Sequence, residues 1–232
     1  MAAMYTFIEF ILKCIFVYPF TLSWKAGKFI VDRIPQQRPA LPVIAVKTRP
    51  ATPEETRGAV NQMLLAHRLF LKSFEEPENT ALAMKLLGQA STALNTARSL
   101  DPGASATVEQ YKEQSTYTVD ELSGNVLHAQ GALMLHGVDV LRTGKWPDDM
   151  STPAAAEWAR NQEKMNRHYR TEALAAAQQA LAYSPKSVKY RILLAKALRA
   201  NKKPKDAKVV LQEAHRLEPD NIDVLELMND NS

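Results

Sequence analysis

Nonpolar residues return every three or four positions through most of this chain, the spacing that lines one face of a helix. The period runs through Val60, Met63, Leu64 and His67, then Leu82, Leu86, Ala90, Leu94 and Ala97. It resumes at Val126, Leu127, Leu133 and Met134, and again at Ala173, Ala177 and Ala180. Thr52-Pro53-Glu54-Glu55 reads as a helix start, with Thr as N-cap, Pro in the first turn and Glu placed for a capping box. Breaks fall at Glu76-Pro77, Asp101-Pro102-Gly103, Trp146-Pro147, Ser184-Pro185 and Glu218-Pro219. No convincing strand pattern follows Thr52, so the body, 53–232, is expected to be all-α and built of paired helices.

The breaks carry a repeat. Pro185 and Pro219 stand 34 residues apart. Before Pro219 the framework is Leu194, Ala195, Leu198, Ala207, Leu211 and Ala214. Ala173, Ala177 and Ala180 precede Pro185 at the same offsets, as Ala90, Leu94 and Ala97 precede Pro102. These residues resemble the tetratricopeptide repeat, a helix–turn–helix with small residues where its helices cross. The resemblance covers 188–219 as one nearly complete repeat, and second helices at about 80–101 and 172–184. Ile222, Leu225 and Met228 would open a truncated capping helix. Arg191 departs from the pattern, standing where a large aromatic is usual. Glu157, Arg160, Asn161 and Lys164 make the preceding first helix degenerate or part of a longer one. Segments 52–76 and 104–146 fit only as irregular helical partners. A generic helical bundle is the rival reading.

The head of the chain has a different pattern. Tyr5 to Trp24 is about 20 mostly apolar residues, enough to span roughly 30 Å as a helix. Glu9 and Lys13 interrupt it, four apart and able to pair on one helix face. No small-x-small cleavage site follows, so a secretory signal fits badly. Residues 1–34 are therefore expected to form a hydrophobic membrane-anchor or interfacial helix. Phe7, Phe10, Ile11, Ile15 and Phe16 would meet lipid, and Trp24, Lys25 and Lys28 would mark the interface. A single span is the leading reading, then an interfacial amphipathic helix, then a helix buried in a soluble assembly. Five of the 13 prolines fall in 35–53, making 35–52 a stiff linker. Within it, Leu41–Val46 reads as linker hydrophobes, or else as a strand-like clip onto a partner.

Charge follows the same division. Residues 1–50 carry seven Lys or Arg against Glu9 and Asp32, a net +5. The other 182 residues hold 22 basic and 23 acidic groups, a net −1, so the overall +4 is no general nucleic-acid signature. The positive-inside rule would put the body on the cytoplasmic side of a membrane, with a periplasmic body the alternative. Cys14 is the only cysteine, which excludes an intramolecular disulfide and a cysteine-based zinc finger.

Phosphate loops, H-E-x-x-H and G-x-S-x-G are absent from the sequence, so no enzyme activity and no cofactor is expected. His128 and His136, eight apart with Asp139 beyond, share a helix face poorly and read as ordinary histidines. Gly131 and Gly137 read as close helix contacts or a loosened helix rather than a phosphate loop, and His168-Tyr169 between Arg167 and Arg170 as a polar helix face.

The repeat resemblance implies a concave groove that holds a segment of another protein. Its groove-facing positions here would be Lys189, Ile192, Leu193, Lys196, Arg199 and Ala200. Lys189, Lys196 and Arg199 would bind acidic side chains or a terminal carboxylate. The plain alternative is a solvated basic face, since 186–216 carries a net +8 and 217–232 a net −5. The expected function is a membrane-associated adaptor or scaffold, one subunit of a larger secretion- or transport-type membrane or envelope assembly. The alternatives are a soluble assembly subunit whose first helix packs into a partner, and binding of nucleic acid or an anionic membrane through 186–216. Nucleic acid is the weaker expectation, because only Tyr183 and Tyr190 lie nearby for stacking.

Overall fold

The computed structural model describes residues 50–75, 79–110, 113–144 and 153–229. Expectations for 1–34 and for the linker as far as Arg49 lie outside the described residues, as do the breaks at Glu76-Pro77 and Trp146-Pro147. Among the described residues the elements are α1 (Pro53–Lys72), α2 (Thr80–Leu100), β1 (Ser105–Gln110), β2 (Glu113–Thr118), α3 (Val119–Thr143), α4 (Pro153–Tyr183), α5 (Val188–Ala200), α6 (Pro204–Leu217) and α7 (Ile222–Asn229).

Local chemistry sets the helix starts. At α1, the Thr52 hydroxyl accepts from the Glu55 N–H while the Thr52 N–H donates to the Glu55 carboxylate, the reciprocal box expected from the sequence. Thr118 and Glu121 repeat that arrangement at α3. Asn79 caps α2 and Ser187 caps α5, each accepting from the N–H three residues on. Pro204 opens α6, where a missing N–H costs nothing.

Packing follows the 34-residue framework. α1 pairs with α2, α3 with α4, and α5 with α6, while α7 closes the end of α6. α2 also touches α3, and α4 touches α5. The first helices of successive pairs meet directly, α1 with α3 and α3 with α5. That order is a stack of helical hairpins whose first helices adjoin along one side. Ala90, Ala97, Ala173, Ala177, Ala180, Ala207, Leu211 and Ala214 are all fully buried. Alanine at these crossings lets backbones approach closely, and the larger side chains fill the space between.

Two cores result. One gathers Ala59, Met63 and Ala66 of α1 with Leu87, Ala90 and Leu94 of α2 and Val119, Leu122 and Val126 of α3. The other joins Ala173 and Ala177 of α4 to Leu194, Leu198, Leu211 and Val224. α3 borders both, its later residues Ala132, Met134 and Leu135 packing on the second core. Arg98 fastens α2 across the boundary. Its guanidinium donates to Asp120 and Ser123 of α3, each at 2.9 Å, and stacks 4.4 Å above the Tyr183 ring of α4.

One sequence expectation is corrected. Segment 104–118 is an antiparallel β-hairpin, with Ala106 opposite Tyr117 and Val108 opposite Ser115. Ala104, Ala106 and Val108 are buried beside α1, whereas Thr107 and Thr116 face solvent and hydrogen-bond to each other at 2.9 Å. Segment 52–76, expected as an irregular helical partner opening at Thr52, holds one regular helix, Pro53–Lys72. The truncated capping helix expected from Ile222 forms as α7, with Val224 inserted in the core and Ile222 and Leu225 64% and 40% exposed. The choice left open for 154–185 resolves as one continuous helix of 31 residues.

Candidate protein-binding groove

α3 and α5 lie side by side because α3 offers glycine where α5 offers bulk. A Cβ at Gly124 would sit 2.7–2.9 Å from the Tyr190 ring and hydroxyl, and one at Gly131 would sit 2.9 Å from Leu193. Gly137 meets α4 in the same way, its Cβ position 3.0 Å from the Tyr169 ring. Gly131 and Gly137 are thus close helix contacts.

This approach assembles a cluster across the two helices. Asn125 Oδ1 accepts from the Tyr190 hydroxyl at 3.1 Å and from the Lys189 ammonium at 3.3 Å. The same ammonium lies 5.9 Å from the centre of the Tyr190 ring. His128, one turn along α3 from Asn125, has its ring 5.7 Å from that of Tyr190. Burial, then the charges of Lys189 and Lys196, hold the His128 pKa well below the usual histidine range. Partial desolvation against Asn125 and the Tyr190 ring lowers the Lys189 ammonium pKa as well. Burial first, then the Glu121 carboxylate, pushes the Tyr190 phenol up to about 12, so it remains a hydrogen-bond donor.

The cluster is therefore a neutral imidazole, an amide and a phenol beside two ammonium groups. Lys189 and Lys196 are exposed, and neither forms an ion pair among the described residues. Such a surface suits an anionic group brought by a partner.

The other predicted groove residues are placed differently. Ile192 and Ala200 are half-buried, and Leu193 is packed into the second core against Gly131. Arg199 donates to the Leu227 carbonyl in the last turn of α7, so it fastens the closing helix. Phe7, Phe10, Ile11, Ile15, Phe16, Trp24, Lys25 and Lys28 lie outside the described residues. No helix among the described residues is long and apolar enough to cross a membrane. Sequence reasoning missed Asn125, His128 and Tyr190 as a group. Their spacing of three on α3 was visible, but the partner helix lies more than sixty residues away.

Comparison with known proteins reaches the α5 side of this cluster and not α3. The tetratricopeptide repeat family model matches residues 170–230, covering the end of α4 together with α5, α6 and α7. That span extends the single repeat seen at 188–219 in both directions. Neither the curated proteins nor the solved structures give a match to the chain.

Proposed function

We propose that this chain is an adaptor whose inner face holds an acidic segment or terminal carboxylate of another protein between α3 and α5. Residues 1–34 would keep that interaction at a membrane, as one subunit of a larger membrane or envelope assembly. A tether of this kind raises the effective concentration of the groove near its partner without adding contacts. The observation that carries the proposal is the pair of exposed ammonium groups, Lys189 and Lys196, beside the Asn125–His128–Tyr190 cluster with no ion-pairing acid among the described residues.

Replacing Lys189 and Lys196 together by Glu should remove the partner from affinity purifications of the full chain. Each lost charge-assisted hydrogen bond weakens binding by about tenfold or more. Circular dichroism should stay at the wild-type spectrum, since both side chains are exposed, with the thermal midpoint lowered only by the loss of the Lys189–Asn125 bond, about 1 kcal/mol. Partner recovery equal to wild type would reject the groove assignment. Arg199→Glu is unsuitable, because it would also release α7. Carbonate and detergent fractionation of the full chain against a chain starting at Thr52 tests the tether, and equal solubility would remove it.

A further inference from the structure

The outer face of α6 bears a second cationic surface, separate from the groove. Lys205, Lys208, Val209, Gln212 and Arg216 fall within one arc of the helix, opposite the buried Ala207, Leu211 and Ala214. Lys202 and Lys203, both exposed, extend the arc through the α5–α6 turn. Of the acids in this unit, Glu213 already binds Arg216 at 2.8 Å and reaches Arg191 at 4.0 Å, while Asp206 sits in the first turn of α6. Lys202, Lys203, Lys205 and Lys208 form no ion pair among the described residues.

Two further observations give the patch direction. Lys202 has a φ of 59°, in the left-handed region, and is the one described non-glycine residue there. Its N–H donates to the Arg199 carbonyl and that of Lys203 to the Leu198 carbonyl, a helix ending in which glycine is the unstrained choice. A lysine kept against that preference places an ammonium at the apex of the turn. In addition, Val209 is 64% exposed among these lysines.

We infer that this face docks on an anionic lipid surface, the four ammonium groups meeting headgroup phosphates and Val209 entering the headgroup–acyl boundary. Nucleic acid is the less suited partner: no ring on this face among the described residues is presented for stacking a single strand, Tyr183 being covered by Arg98 and Tyr190 packed on Gly124, and a duplex backbone gives the exposed Val209 nothing apolar to enter. The contact goes beyond the groove reading and stands or falls independently of it.

The test is co-sedimentation of the full chain with phosphatidylcholine vesicles with and without phosphatidylserine. The preference for serine-containing vesicles is the readout, which separates this face from any charge-independent binding elsewhere in the chain. Wild type should favour phosphatidylserine and lose that preference at about 1 M salt, where screening acts within about 3 Å. Exchanging Lys202, Lys205 and Lys208 together for Glu should lower the preference roughly a hundredfold, at about tenfold or less per surface lysine. The matching exchange for Gln should lower it less, and Val209→Ser should weaken binding to serine-containing vesicles. Both triple variants should keep the wild-type circular dichroism, since the replaced residues are exposed. A preference unchanged in the Glu variant would overturn the inference. So would wild-type binding to a duplex oligonucleotide that exceeds binding to vesicles of equal phosphate content.

Discussion

Lys202 shows what one backbone angle does to stability. In the left-handed region a Cβ crowds the carbonyl that follows, a strain of about 1–2 kcal/mol for residues other than glycine. Lys202→Gly should therefore stabilise the chain by about 0.5–1 kcal/mol, since glycine also gains freedom in the unfolded state. A urea midpoint measured against wild type reads that gain. His67 gives a second residue-scale expectation. It is buried between α1 and the hairpin, its ring 6.0 Å from that of Tyr117, and burial lowers its pKa as it does for His128. Below the ordinary histidine pKa of about 6.5 the unfolded chain takes up protons that the folded chain refuses. Stability should thus be complete above that value and fall as pH drops through it toward the depressed native values. His67→Gln should reduce the fall in thermal midpoint between about pH 7.5 and 5.5, the histidine range, and leave the share that His128 contributes.

Elements were legible wherever a period and a cap coincided. Thr52 and Pro53 announce α1, and the recurrent alanines announce α2, the end of α4, and α6. The hairpin was hidden because its inner face is made of Ala104, Ala106 and Val108, side chains too small to stand out as an apolar alternation. Its outer threonines were the available signal, and the connection at 111–112 lacks the glycine that usually marks a tight turn. The groove cluster was illegible for another reason: α3 and α5 meet through glycines at Gly124 and Gly131, which no hydrophobic count registers. Arg98 was equally invisible, a charge in a helix read only for its nonpolar face. Because it joins α2 to α3 and α4 through a fork and a stacked plane, Arg98→Lys should keep the charge and still lose about 1–3 kcal/mol, measured by thermal unfolding.

At the scale of the molecule, two cores share one long helix. Stacked hairpins contact mainly their neighbours, so damage in one should spread little. Leu211 is fully buried in the second core, and Leu211→Ala should cost about 2–5 kcal/mol. Hydrogen exchange should show the loss first in α5, α6 and α7, with α1 and α2 protected as in wild type. Uniform loss across both cores would mean that α3 couples them into one folding unit. The same architecture leaves α4 conspicuously long. Asn201, just past the end of α5, donates its amide to the Arg170 carbonyl, and that bond marks how far α5 reaches along α4. Residues 153–169 of α4 run on past it, about 25 Å of helix at 1.5 Å per residue. With Ala155 buried near its start and Tyr169 seated on Gly137 of α3, α4 is thus a strut gripped by α3 along its early turns and by α5 along its later ones, so a pull on either helix is passed to the other through a single rod.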